Sequence, residues 1–202
     1  MQPRQSHRGF SLIELMVSLV VGLIVSGAAL ALVASIIKSN SDTVRSTRLT
    51  QELRATAEVI ARDLRRARSD YDPISNVGTT PLLQACNTID TSTAGCVTYG
   101  YNCTSSTAGS FWSIGLASNK VYVKTAAGAA PACPTTADTL LSSDAVNITA
   151  LTFTPVGTDA VTISLTGQLA DQLSSSLSNS ATRNSFTRSI TQEVRIRSST
   201  VQ

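Results

Sequence analysis

One acidic side chain lies in an apolar run. From Phe10 to Ile37 the chain has 28 residues, and Glu14 is the only charged one. A charge at the middle of a spanning helix costs roughly 2.5–3.5 kcal/mol on insertion scales, less toward its end, so such residues usually have a partner. The run contains no Lys or Arg. A cation can, however, be made. A cut just before Phe10 places a new α-amino group at the head of the helix. That ammonium can meet the Glu14 of a neighbouring copy or a related subunit, and burying both charges is tolerable only when they meet.

Other chemistry is scarce. His7 is the only histidine, and it precedes the expected cut. The mature chain would then have no Ser-His-Asp or Cys-His arrangement and no His-based metal site. The sequence contains no P-loop, GxSxG or GxGxxG. Asp90, Asp138, Asp144, Asp159 and Asp171 are scattered, which argues against a calcium site built from two of them with backbone carbonyls. We expect no enzyme, no cofactor and no metal. Cys86, Cys96, Cys103 and Cys133 form no CxxC pair. Their even number, after an apolar run, points to export and two disulfides. Three connectivities are open. Neighbour pairing, Cys86–Cys96 with Cys103–Cys133, is favoured for its short loops. Zinc is the weaker rival, given the irregular spacing.

The elements that must carry these residues follow from the charge pattern. Residues 1–9 hold Arg4 and Arg8 and no acid. Residues 38–72 hold eight bases and six acids, whereas residues 73–180 hold only Lys120 and Lys124 against five aspartates. Arg183, Arg188, Arg195 and Arg197 then crowd the end. The net charge of +3 is too small to indicate nucleic acid by itself. At 1.5 Å per residue the apolar run makes about 42 Å of helix, longer than the hydrocarbon core. That length also exceeds a signal-peptide core, so the small-residue site at Ala29-Leu30-Ala31 is read as a decoy. A plain anchor held by Arg4 and Arg8 would leave Glu14 unexplained.

The ordered set Gly9-Phe10-Ser11-Leu12-Ile13-Glu14, after a basic leader and before an apolar run, resembles the signal of type IV prepilins and type II secretion pseudopilins. The resemblance implies cleavage after Gly9 by a prepilin peptidase and N-methylation of Phe10. It also implies that Glu14 recruits the subunit into a filament. Gly9, lacking a side chain, lets the peptidase accept an extended backbone. Relatives often carry a Pro in the apolar half of the helix; here only Gly22 and Gly27 weaken it, at about 1 kcal/mol each. Gly22, Ser26 and Gly27 also suit close helix packing.

The helix continues over Ser39–Arg68. Leu49, Leu53, Ala57, Ile60, Leu64 and Ala67 recur every three or four residues, an amphipathic stripe suited to packing on a sheet. Arg48–Glu52, Arg54–Glu58 and Glu58–Arg62 are i,i+4 pairs of about 0.2–0.5 kcal/mol each. RDLRRAR, Arg62 to Arg68, reads first as a solvated helix end opposing the dipole. A DNA or lipid-headgroup contact is its rival reading. Beyond Pro73 the chain shifts to strands: Val97–Tyr101, Phe111–Leu116, Val121–Lys124, Ala145–Phe153, Val161–Leu169 and Phe186–Ile196. Ser118-Asn119 makes a turn between the second and third. Val161, Ile163 and Leu165 alternate with Thr162, Ser164 and Thr166, the mark of a half-buried antiparallel strand. Gln172–Asn184 reads as a loop.

The expected fold is α+β and pilin-like: a long N-terminal helix packed on a C-terminal antiparallel β-sheet. Its parts are a leader over 1–9, a transmembrane and filament-core helix over 10–37, an amphipathic continuation over 38–70 and a disulfide-bearing body over 71–202. QELRATAEVIARDLRRA, then Cys-Val-Thr-Tyr-Gly-Tyr and an Arg-rich closing strand, is similar to PilW-type minor pilins and to J-type minor pseudopilins. The resemblance implies a minor pilin that primes or caps assembly. Its partners would be the prepilin peptidase, major and other minor pilins and the inner-membrane assembly platform. The chain would sit in the bacterial inner membrane with a periplasmic body, then in the pilus. The alternatives are a type II secretion minor pseudopilin, or a tip subunit whose Ser/Thr-rich body or terminal arginines contact a surface or DNA.

Overall fold

A single helix, α1, spans Leu12–Leu64. The computed structural model describes residues 11–69, 89–102, 109–157, 159–170 and 187–196. The chain divides into two compact units, Met1–Val44 and Arg45–Gln202.

In the first unit the helix starts at Ser11, whose carbonyl accepts from the N–H groups of Glu14 (3.0 Å) and Leu15 (3.2 Å). It runs unbroken through Gly22 and Gly27, where an added Cβ would meet nothing within 4 Å. Its large apolar side chains from Leu12 to Ile37 are all exposed, between 51% and 79%. The Ser18 and Thr43 hydroxyls fold back onto the carbonyls of Leu15 and Ser39, which removes polar groups from the helix surface.

In the second unit the stripe is buried as its spacing requires. Leu49, Leu53, Ile60, Leu64 and Ala67 are fully buried and Ala57 nearly so. Each Leu or Ile contributes about 1.5–3 kcal/mol by leaving water. The helix stops at Leu64, four residues short of the expected Arg68. Arg66 and Ala67 donate to Asp63 and Leu64, three residues back, which tightens the chain into a turn. Arg68 then takes a positive φ of 62° and gives its N–H to the Gly100 carbonyl at 2.8 Å. This sheet contact replaces the next helical bond. The three expected i,i+4 ion pairs do not close; the exposed side chains stay in water, where ordering two long chains costs about what the attraction returns.

The body has two antiparallel sheets where one was expected. The first runs in chain order: β1 (Ile89–Asp90), β2 (Cys96–Tyr101), β3 (Ser110–Ala117), β4 (Lys120–Ala127) and β5 (Thr139–Leu140). The second is β6 (Val146–Val156), β7 (Ala160–Leu169) and β8 (Arg188–Arg195). Ser118 and Asn119 both take positive φ, as a two-residue hairpin turn demands. Side chains alternate across each strand. Val97, Tyr99 and Tyr101 of β2, Ile114 of β3 and Val121 of β4 share one core with the helix stripe and with Ile163 and Leu165 of β7. The register of β6 shifts between Ile148 and Ala150. This bulge reverses the parity of the strand, so that Val146 and Ile148 before it and Leu151 and Phe153 after it all face inward. The proposed Gln172–Asn184 loop lies outside the described residues.

The cysteine pairing departs from expectation. Cys96 is bonded to Cys133, with Cα atoms 6.0 Å apart. This overturns both neighbour pairs, since each uses one of these two cysteines. Cys96 faces Gly115 across the β2–β3 ladder. The bare backbone of Gly115 admits Pro134, whose Cδ would lie 2.9 Å from any Cβ placed there. Ser113 donates its hydroxyl to the Ala132 carbonyl at 2.9 Å. The chain around Cys133 is thus laid across β2 and β3, and spatial proximity, not loop length, decides the partner. Cys86 and Cys103 lie outside the described residues.

Candidate assembly site

Gly9 and Phe10 lie outside the described residues, and Glu14 is placed. It sits in the first turn of α1. A carboxylate there is favoured by the positive end of the helix dipole, by about 0.3–1 kcal/mol at an exposed site. Leu12, Ile13, Leu15 and Met16 surround it and are all exposed. The segment is long and apolar enough to cross a membrane, and the chain itself covers none of it. Within the first unit Glu14 has no cation to pair with among the described residues. The chemistry offered is one acid on a helix surface that needs either lipid or other apolar helices around it.

The second unit holds its helix end by polar contacts that the sequence did not single out. Tyr99 of β2 donates its hydroxyl to the Asp63 carboxylate. Burial, then the negative charge of Asp63 and this hydrogen bond, push the Tyr99 phenol far above its ordinary range. The Arg66 guanidinium lies 4.7 Å above the Tyr101 ring, whose centroid is 5.8 Å from that of Trp112. Arg68 also reaches Asp159 at 3.6 Å. At the other end of β8, Arg188 donates to the Ser46 hydroxyl at 3.2 Å. Lys120 gives its ammonium to the carbonyls of Ser143 (2.9 Å) and Val146 (2.8 Å), joining the β3–β4 hairpin to the start of β6. Aromatic residues in alternate positions of β2, opposite an Asp and an Arg three residues apart on a helix end, were the available signal. Only the fold shows that they meet.

Of the five body aspartates, Asp171 lies outside the described residues, and Asp90, Asp138, Asp144 and Asp159 do not gather into a cation site. Asp138 accepts from the Thr135 N–H and hydroxyl, which hold its carboxyl below the usual range. Asp90 is lowered in the same way by Ser92. Among the described residues no three His, Cys, Asp or Glu side chains gather closely enough to hold a metal ion.

Two family models match the chain. One, described as prepilin peptidase-dependent protein B, covers residues 42–196. The other, the prokaryotic N-terminal methylation motif, covers residues 4–30 and so spans Gly9, Phe10 and Glu14. No curated protein matches the chain. No solved structure matches it either.

Proposed function

The chain belongs to the prepilin peptidase-dependent protein B family, and from that premise we propose that it is a minor pilin of a type IV pilus. Its coarser identity as a type IV pilin or pseudopilin, with a prepilin peptidase as partner, follows from the two matches together. The finer role rests on one observation: Glu14 stands on the first turn of α1, whose large apolar side chains from Leu12 to Ile37 its own chain leaves exposed.

The proposed sequence of events is physical. Arg4 and Arg8 hold the leader on the cytoplasmic side of the inner membrane. The peptidase cuts after Gly9, and methylation leaves the Phe10 amine able to carry charge. Lipid covers the apolar helix first. When the subunit joins a filament, other apolar helices replace the lipid, and Glu14 meets the terminal ammonium of a neighbour. The pair then neutralises two charges among packed apolar helices, where neither is tolerated alone. The body, in the periplasm before assembly, contacts other minor subunits and helps prime or cap the filament. Its role is structural rather than catalytic. The order of helix, Tyr-rich strand and Arg-bearing closing strand supports the narrower kinship with PilW-type minor pilins.

The test is Glu14→Ala in cells that make the pilus. Cleavage should continue, while the amount recovered in sheared filaments should fall at least tenfold. Glu14→Asp should restore part of it. Normal incorporation of Glu14→Ala would defeat the pairing account.

A further inference from the structure

Strand β8 and the body's part of α1 run side by side with a gap between them. Arg188, at the start of β8, donates to Ser46. Just past its end, Ile196 gives its N–H to Asp159, which in turn holds Arg68. The strand therefore runs in the same direction as the helix. Between these two ties a groove of about 530 Å³ opens. Its walls include Arg54, Ala55 and Glu58 of α1 and Ile190, Thr191 and Gln192 of β8.

The strand wall is a sheet edge. β8 is the last strand of its sheet. The Ile196 N–H points to the β7 side, and backbone groups alternate sides along an antiparallel strand. Those of Ser189, Thr191 and Glu193 thus aim away from β7, and among the described residues no backbone group meets them. Long edges are commonly blunted by a proline, a bulge or inward-pointing charges. β8 has no proline and no register shift against β7, and Ile190, Gln192 and Val194 face inward without charge. The helix wall carries the charge. Arg54 and Glu58 are exposed and make no ion pair or hydrogen bond among the described residues. Four residues apart, they are separated by about 6 Å along the helix axis. Alternate residues of a strand are about 6.8 Å apart and share one face. A strand laid in the groove can meet both charges with two side chains.

We propose that this groove takes an extended strand donated by a different polypeptide, which continues the second sheet beyond β8. Main-chain hydrogen bonds to Thr191 and Glu193 supply the binding, and the helix charges select the sequence. Antiparallel pairing is the stabler arrangement. The donated strand then passes Glu58 first and Arg54 second, so it carries a base and, two residues later, an acid. A second copy is not the donor. The apolar run precedes Arg45 in the chain, so every copy leads to the bilayer from its Ser46 end. A two-fold pair of β8 edges would set those ends in opposite directions. The inference deepens the proposed role by naming a contact surface on the body, and rests on that role for the exclusion of a second copy.

The full chain in zwitterionic detergent is titrated into the labelled peptide VTKTETV while anisotropy is followed. Saturable binding is expected. The reversed peptide VTETKTV should bind about fivefold or more weakly, since both charge pairs become repulsive. Arg54→Glu combined with Glu58→Arg should invert that preference; both side chains are exposed, so the fold is kept. The threonine amides of the peptide face β8, and N-methylating them should abolish binding. The Lys and Glu amides face away, and N-methylating those should leave it intact. Five results would overturn the proposal: no saturable binding of VTKTETV, equal affinity for the two peptides, an unchanged preference in the double variant, equal effects of the two methylation patterns, or a dimer of the chain that is lost on Thr191→Pro. The titration needs no filament, so its failure leaves the Glu14 account standing, and normal incorporation of Glu14→Ala leaves the groove standing.

Discussion

Tyr99 on β2 donates its hydroxyl to Asp63, the residue before the last of α1. The bond ties the helix end to the first sheet one residue away from the Arg68–Gly100 contact on the same strand. Tyr99 is almost wholly buried, and the Asp63 side chain is 17% exposed. Tyr99→Phe should therefore cost about 1–3 kcal/mol in urea unfolding, because the carboxylate loses its donor without regaining full hydration.

The same pair sets an alkaline limit. The Tyr99 phenol is raised in the folded chain above its ordinary value of about 10. Above that pH the unfolded chain releases this proton while the folded chain keeps it. The unfolded state then binds fewer protons, so stability falls as pH rises. The contribution is fully present below about pH 10 and is lost progressively above it. A stability profile from pH 8 to 11.5 should drop more steeply for the native chain than for Tyr99→Phe. Parallel curves would contradict this.

Helix and second sheet meet at one tight point. A Cβ on Gly167 would lie 2.8 Å from Leu53 Cδ2 and 3.1 Å from the Asn147 carbonyl. Gly167→Ala should destabilise by about 1–3 kcal/mol through overpacking. Leu53→Ala should cost about 2–5 kcal/mol. The double variant should cost less than the sum, since the smaller side chain admits the added methyl. Full additivity in denaturant titrations would show that the two do not touch.

Non-reducing peptide mapping should recover the Cys96 and Cys133 peptides linked. For a fully oxidised chain this leaves Cys86 with Cys103 as the only remaining pairing. The Cys96–Cys133 link closes a separation of 37 residues, worth about 4 kcal/mol in the chain-entropy account. Replacing both with Ser should lower stability by about 2–4 kcal/mol. Free thiols at Cys96 and Cys133 in exported protein would contradict the pairing.

Local patterns were readable in advance. The stripe from Leu49 to Ala67 obeys helical spacing, and Val161, Ile163 and Leu165 obey strand alternation, so burial followed from each segment alone. What escaped was non-local or very short. β1 and β5 have two residues each and carry no period. The register shift after Ile148 changes which residues face inward, and β6 has no glycine of its own there; the glycine at the shift, Gly167, lies opposite on β7, where only the pairing reveals its connection. Cys133 finds Cys96 because Gly115 lets Pro134 approach, a relation among three segments. At the assembly site, Glu14 was conspicuous because a charge in an apolar run needs a reason. The run RDLRRAR was visible, whereas the stacking of its Arg66 on Tyr101 required the fold.

The central claim is that Glu14 waits for a cation made by cleavage. Intact-mass and N-terminal peptide analysis of the protein from membranes of peptidase-positive cells tests it most directly. The account predicts a chain that begins at Phe10 and carries an N-methyl group. A chain retaining residues 1–9 in those cells, or one cut at Ala29-Leu30-Ala31 and so lacking Glu14, would contradict it.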